Sequence, residues 1–267
     1  MRRVPSWWLV TSLALAAACG KTDDKAADAP ADAAPAAEPA AEPAAAAGPV
    51  AIVTVIYRTP KDTAAFERYY RETHLPLVSA NQQEIGFTRA DLTRFTSNLD
   101  GSKPVYYRQA ELYFPSMEAA RKGMATPGFK KVADDLGNFA TGGLTGLLAV
   151  ETSDPTEPSD GEPMAIVTVI YKQPKDTAAF EKYYAENHIP LVGASQQEIG
   201  FTRAELTRFE SNLDGSAPAV YRQAELYFPS MSALKKGTAT PAFKKVAGDL
   251  PNFATGGLDG LIAVETR

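Results

Sequence analysis

The stretch Ala51-Ile52-Val53-Thr54-Val55-Ile56-Tyr57 returns unchanged as Ala165-Ile166-Val167-Thr168-Val169-Ile170-Tyr171. Laid over each other, the two copies stay in register without insertion or deletion to Glu151-Thr152 over Glu265-Thr266, with roughly four positions in five identical. The chain therefore carries one unit twice, at 50–152 and 164–267, joined by a polar linker at 153–163 that contains Pro155, Pro158 and Pro163. A unit of about a hundred residues buries a modest core alone, and two can share a larger one. Both quoted runs are β-branched and apolar, which predicts a strand opening each unit.

Outward from that strand, Asp62 offers a helix N-cap, and Phe66, Tyr69, Tyr70 and Thr73 recur at helical spacing. Leu75-Pro76 is expected to end this helix near His74. Gly86 to Phe95 alternates as a second strand, Asn98 to Ser102 supplies turn residues, and Tyr106 to Phe114 reads as a third strand. Helices are expected over about 117–125 and 127–136, before a last strand from Leu144 to Glu151. The order βαββαβ predicts an α+β, ferredoxin-like unit with helices on one sheet face only. On the third strand Tyr107, Gln109, Glu111 and Tyr113 should share one side, opposite Arg108, Ala110, Leu112 and Phe114. The first set suits a cavity wall, and two such sheets facing each other would form an intramolecular pseudo-dimer.

The flanks read differently. Arg2 and Arg3, an apolar run from Trp7 to Ala18, and then Ala16-Ala17-Ala18-Cys19-Gly20 form a secretory signal over 1–19 that resembles a bacterial lipobox. Lipidation of Cys19 would anchor the chain in the bacterial cell envelope, facing the periplasm or in the outer membrane. A plain cleaved signal peptide is the other reading. Residues 20–49 are mostly Ala, Pro, Asp and Glu, as expected of a disordered tether. Cys19 is the only cysteine, so neither a disulfide within the chain nor a cysteine-based metal site can form. With 27 basic and 32 acidic residues and a net charge of −5, nucleic acid is not an expected partner.

The segment Phe66-Glu67-Arg68-Tyr69-Tyr70-Arg71-Glu72-Thr73-His74-Leu75-Pro76-Leu77, echoed by Phe180 to Leu191, resembles the F-x-x-Y-Y-x-x-x-H-x-P-L signature of the EthD family. The resemblance implies a dimeric α+β barrel, here formed by tandem copies, and a loosely defined oxidoreductase or reductase activity. It brings forward His74 and His188, the only histidines, as general acid/base groups acting on a small aromatic or hydrophobic molecule in the barrel. The alternative is that each histidine is a helix C-terminal cap that bonds local carbonyls. Glu111 and Glu225 are weaker catalytic candidates, which would equally pair with Arg89 and Arg203 inside the sheet. Tyr57, Tyr107, Gln109 and Tyr113, with Tyr171, Tyr221, Gln223 and Tyr227, are candidates to contact a flat ligand, although strand aromatics also serve ordinary packing. One histidine per unit falls short of a metal ligand set. No nucleotide cradle is present, and no cofactor is expected, haem being the alternative that other barrels of this type suggest. Two functions follow: a histidine-assisted enzyme, or a lipoprotein that binds a small ligand or partner on the same scaffold without catalysis.

Overall fold

The branched, apolar runs form strands because such side chains suit a pleated, half-buried surface. The first repeat contains β1 (Ala51–Tyr57), α1 (Thr63–Tyr69), α2 (Leu75–Ala80), α3 (Gln82–Ile85), β2 (Arg89–Asn98), β3 (Arg108–Phe114), α4 (Met117–Met124), α5 (Pro127–Asp135) and β4 (Leu144–Glu151). The second contains β5 (Ala165–Tyr171), α6 (Thr177–Tyr183), α7 (Ile189–Ile199), β6 (Arg203–Asn212), β7 (Arg222–Phe228), α8 (Met231–Thr238), α9 (Pro241–Asp249) and β8 (Leu258–Glu265). The computed structural model describes residues 50–153 and 164–266. The expected signal, Cys19, the tether and most of the linker lie outside the described residues. Among the described residues no helix is long and apolar enough to cross a membrane.

The eight strands form a closed barrel in the order β1-β3-β2-β8-β5-β7-β6-β4. Each repeat supplies the ferredoxin-like order β4-β1-β3-β2 or its counterpart, and antiparallel pairing of β2 with β8 and of β4 with β6 joins the two sheets into one. The pseudo-dimer is thus covalent, and neither sheet keeps a free edge.

Alternation along the strands divides the side chains between two environments. Ile52, Ile56, Phe95, Tyr113 and Leu147 pack inside the barrel with their counterparts Ile166, Ile170, Phe209, Tyr227 and Leu261. Ala51, Val53, Leu112, Phe114 and Leu148 turn outward, beneath the helices of their own repeat.

The helical segment after β1 departs from the sequence-based expectation. Instead of ending before Pro76, it widens into a π-helical turn at Tyr70–His74 and runs on through α2 and α3. Proline lacks an N–H and crowds the carbonyl four residues back, and one wider turn relieves that conflict while the chain stays helical. The segment closes at Gly86, whose φ of 84° is the left-handed C-cap conformation. Gly86 therefore ends a helix rather than opening a strand, and β2 begins at Arg89. The second repeat does the same at Tyr184–His188 and Gly200.

Candidate active site

Each repeat holds a cavity between its helices and the outward face of its sheet. The first, about 270 Å³, has a floor of Val53, Val55 and Tyr57 from β1 with Ala110 and Leu112 from β3, and is roofed by Tyr70, His74 and Val78. The second, about 200 Å³, repeats this with Val167, Val169 and Tyr171 below and Tyr184, His188 and Val192 above. No lysine or arginine lines either cavity. Leu213, from the turn after β6, reaches into the first cavity, and Leu99, from the turn after β2, reaches into the second. Each site is thus completed by the other repeat. Gly146 and Gly260 leave room for the exchange, since a Cβ there would stand 2.6 Å from a Leu213 or Leu99 methyl carbon and the leucine would have to turn aside. Leu213 also donates its N–H to the Gly146 carbonyl at 3.0 Å, and Leu99 to Gly260 at 2.9 Å.

His74 leaves the π turn with its ring stacked on Tyr70 and only 4% exposed. Its Nδ1 lies 2.8 Å from Asp135 Oδ2, and the other carboxylate oxygen accepts from Tyr69 Oη at 2.7 Å and Asn138 Nδ2 at 2.9 Å. The second repeat repeats the set with His188, Asp249, Tyr183 and Asn252. Nδ1 donating to the carboxylate fixes the tautomer and leaves Nε2 with a lone pair and no partner among the described residues. Burial pulls both histidines below the ordinary histidine value, and the carboxylate only partly opposes it. Burial alone would raise Asp135, but hydrogen bonds from His74, Asn138 and Tyr69 outweigh it and hold the carboxyl below its usual range. Each cavity therefore holds an oriented, neutral imidazole backed by a carboxylate. The capping reading of these histidines does not describe their side chains, which bond to aspartate and not to local carbonyls.

Of the residues expected at the site, Tyr57 and Tyr171 join the histidines at the cavities. Tyr107 and Tyr221 do not. The chain leaves strict alternation just before β3, so the Tyr107 ring lies edge-on to Phe66 on the helix side and its hydroxyl donates to Glu67 at 2.7 Å. Arg108 grips the same carboxylate through Nε at 3.0 Å and Nη2 at 2.9 Å, covers the Tyr70 ring, and reaches Thr266 of the other repeat at 2.9 Å. Burial is set against hydrogen bonds from Arg108 and Tyr107, which hold Glu67 below its usual range.

Gln109, Glu111 and Tyr113, with Gln223, Glu225 and Tyr227, point into the barrel, separated from the histidines by the sheet. There the amide of Gln223 reaches Glu111 at 3.2 Å and that of Gln109 reaches Glu225 at 3.4 Å. The expected pairs with Arg89 and Arg203 do not form. Arg89 bridges Asp91 and Glu205, each at 3.4 Å, and Arg203 pairs with Glu205, because these lie two residues along the same inward face or across the barrel. Each guanidinium also covers a tyrosine ring, Tyr113 or Tyr227, at 3.7 Å. Glu205 accepts further from Tyr113 at 3.1 Å and Tyr227 at 3.0 Å. Burial and then neighbouring carboxylates push Glu111 and Glu225 above the usual range, with Glu225 foremost around Glu111 and Glu205 around Glu225. Thr54 Oγ1 and the amide oxygens of Gln109 and Gln223 have no partner there.

The sequence reading missed Asp135 and Asp249. A signal existed: each ends a helix, where the dipole disfavours an acid, and Asp249 survives beside Gly248 although the first repeat has Asp134 there. Among the described residues no group of three or more His, Cys, Asp or Glu side chains could hold a metal ion. Haem does not fit either cavity. Its propionates would find no lysine or arginine in the lining, and about 270 Å³ falls below the roughly 300–1,000 Å³ of ordinary ligand pockets.

The EthD domain profile matches this chain twice, over residues 58–143 and 172–257. An uncharacterized 11.0 kDa protein of Rhodococcus erythropolis, encoded in the thcB-thcC intergenic region, is 38% identical over 99 residues, which is 37% of this chain and 92% of that protein. An anthrone oxidase-like protein superposes with a TM-score of 0.58 at 15% identity, over 82% of this chain and 92% of its own. A Fusobacterium nucleatum protein named as a monooxygenase does so with a TM-score of 0.53 at 12% identity, over 82% of this chain and 95% of its own. At those identities the likeness is one of fold, the dimeric α+β barrel.

Proposed function

This chain belongs to the EthD family, and on that premise we propose that it is a two-site enzyme in which His74 and His188 each take a proton from a small, largely apolar substrate held between helices and sheet. One observation carries this reading: an imidazole whose Nδ1 is held by aspartate presents an unpartnered Nε2 to a cavity lined mainly by hydrocarbon. Such a nitrogen accepts a proton from an activated C–H or from O–H, and Asp135 or Asp249 then stabilises the imidazolium. The apolar walls select a small neutral molecule. The deprotonated substrate either regains a proton elsewhere or passes electrons to an oxidant. The names of the two fold relatives favour the oxidative course, with dioxygen as co-substrate. The envelope placement through a lipid on Cys19 belongs to the same proposal and is supported by the signal sequence alone. An acyl mass on the N-terminal fragment checks it.

Exchange of solvent deuterium into a cyclic ketone with an activated C–H, such as 2-tetralone, reads proton abstraction without knowledge of the later steps. The rate is expected to be level through neutral pH and to fall only below the ordinary histidine value, because burial lowers the pKa of the base. Exchange no faster than in buffer alone would overturn the reading.

A further inference from the structure

Of the 11 tyrosines, seven donate their hydroxyl to a carboxylate, Tyr69 to Asp135 and Tyr107 to Glu67 among them. The four that do not are Tyr57, Tyr70, Tyr171 and Tyr184, and these are the four that line the two cavities. They are not exposed instead: each is at most 3% accessible. None of the four hydroxyls has a partner among the described residues, so each site offers two phenol donors to an external acceptor. Of the four, Tyr184 Oη is fully enclosed, with no partner among the described residues.

The rings that carry these hydroxyls stand beside the base. Tyr57 and Tyr70 meet edge-on with ring centroids 5.9 Å apart, and the Tyr70 ring lies 5.6 Å from that of His74. In the second repeat the corresponding separations are 5.9 and 5.7 Å. No cation lines the cavity to receive an anionic ligand, and Arg108, over the Tyr70 ring at 4.8 Å, has its donors committed to Glu67 and Thr266. The lining therefore suits a neutral ligand with an acceptor atom for the two hydroxyls.

We infer that Tyr57 with Tyr70, and Tyr171 with Tyr184, form an oxyanion-binding pair in each site, and that the substrate is a neutral cyclic compound bearing a phenol or ketone oxygen. This rests on the proton-abstraction reading and adds its electrophilic half. As an N–H bond forms at Nε2 and the substrate O–H or adjacent C–H bond breaks, the electron pair stays on the substrate as phenolate or enolate. The oxygen that gains the charge accepts hydrogen bonds from the two hydroxyls, and no electron leaves the substrate in this step.

The test uses 4-nitrophenol, whose phenolate absorbs in the visible, and 4-nitroanisole, which cannot ionise, against the full chain. The wild type is expected to bind nitrophenol with its apparent pKa lowered. Tyr70→Phe/Tyr184→Phe should weaken phenolate binding about tenfold or more, as expected for a hydrogen bond to a charged group, while nitroanisole affinity stays the same. Equal phenolate affinity in wild type and variant, no bound phenolate at all, or an equal loss for nitroanisole would overturn the inference. His74→Ala/His188→Ala separates the two halves. Loss of ketone exchange with the tyrosine effect on phenolate retained supports both, whereas exchange that survives with that effect retained removes the base and leaves the oxyanion pair standing.

Discussion

The two faces of the one sheet hold opposite chemistry. Inward, carboxylates, amides, guanidinium groups and tyrosines bond mainly to one another, as Glu205 does with Arg203 and Tyr227 of its own repeat and with Arg89 and Tyr113 across the pseudo-twofold axis. Outward, the wall is mostly hydrocarbon, and His74 Nε2 and the hydroxyls of Tyr57 and Tyr70 have no partner among the described residues. The richly polar face is thus the one that holds the barrel together, and the sparse face is the one prepared for a ligand. Polar density is a poor guide to a site. Unused hydrogen-bonding capacity beside an open volume is a better one.

The largest effect should come from breaking the inward face. Glu205→Leu leaves Arg203 without its carboxylate and Arg89 with Asp91 alone, and loss of one partner in a buried network typically costs about 3–5 kcal/mol. A large fall in the urea midpoint is expected, and an unchanged midpoint would remove the structural role given to that face. A smaller and more local effect is expected from the turn leucines. Leu213→Ala belongs to the second repeat but opens the first cavity, and Leu99→Ala does the reverse. At partly buried positions each should cost about 2 kcal/mol of stability, near the low end for Leu→Ala. Calorimetric titration with nitroanisole should show one of two sites weakened in each variant. Weakening of both sites by either change would contradict the crossed closure. The smallest effect belongs to Glu111→Gln/Glu225→Gln. Burial and neighbouring carboxylates already favour the neutral carboxyl in both, so an amide of similar shape should change stability little near pH 5. As pH rises, the wild type must ionise these groups or hold their protons against solvent, since their folded values exceed the unfolded value of 4.5. Its stability should therefore fall relative to the variant above that pH.

Much of the fold was legible because the repeat and the β-branched runs act locally. The run at Ala51 to Tyr57 forms a strand for the reason its residues suggest, and the βαββαβ order leads to paired sheets. The continuation past Pro76 was not legible, since it depends on a wider turn that accommodates a missing N–H, and no spacing rule marks that choice. His74 stood out as one of two histidines. Asp135 did not, because 61 residues separate it from His74 and only the packing of α5 beside the π turn joins them. Alternation rightly set Gln109, Glu111 and Tyr113 on one face, but it could not say that this face would be closed by its own twin.

The most direct test compares the faces in one assay, deuterium exchange into 2-tetralone by His74→Ala/His188→Ala and by Glu111→Gln/Glu225→Gln, each with its urea midpoint. The account predicts that the histidine variant loses about 10²-fold or more of the exchange rate, the scale of general base catalysis, at an unchanged fold, while the glutamate variant keeps it. Exchange that survives loss of both histidines and disappears with the glutamines would place the chemistry inside the barrel and contradict the account.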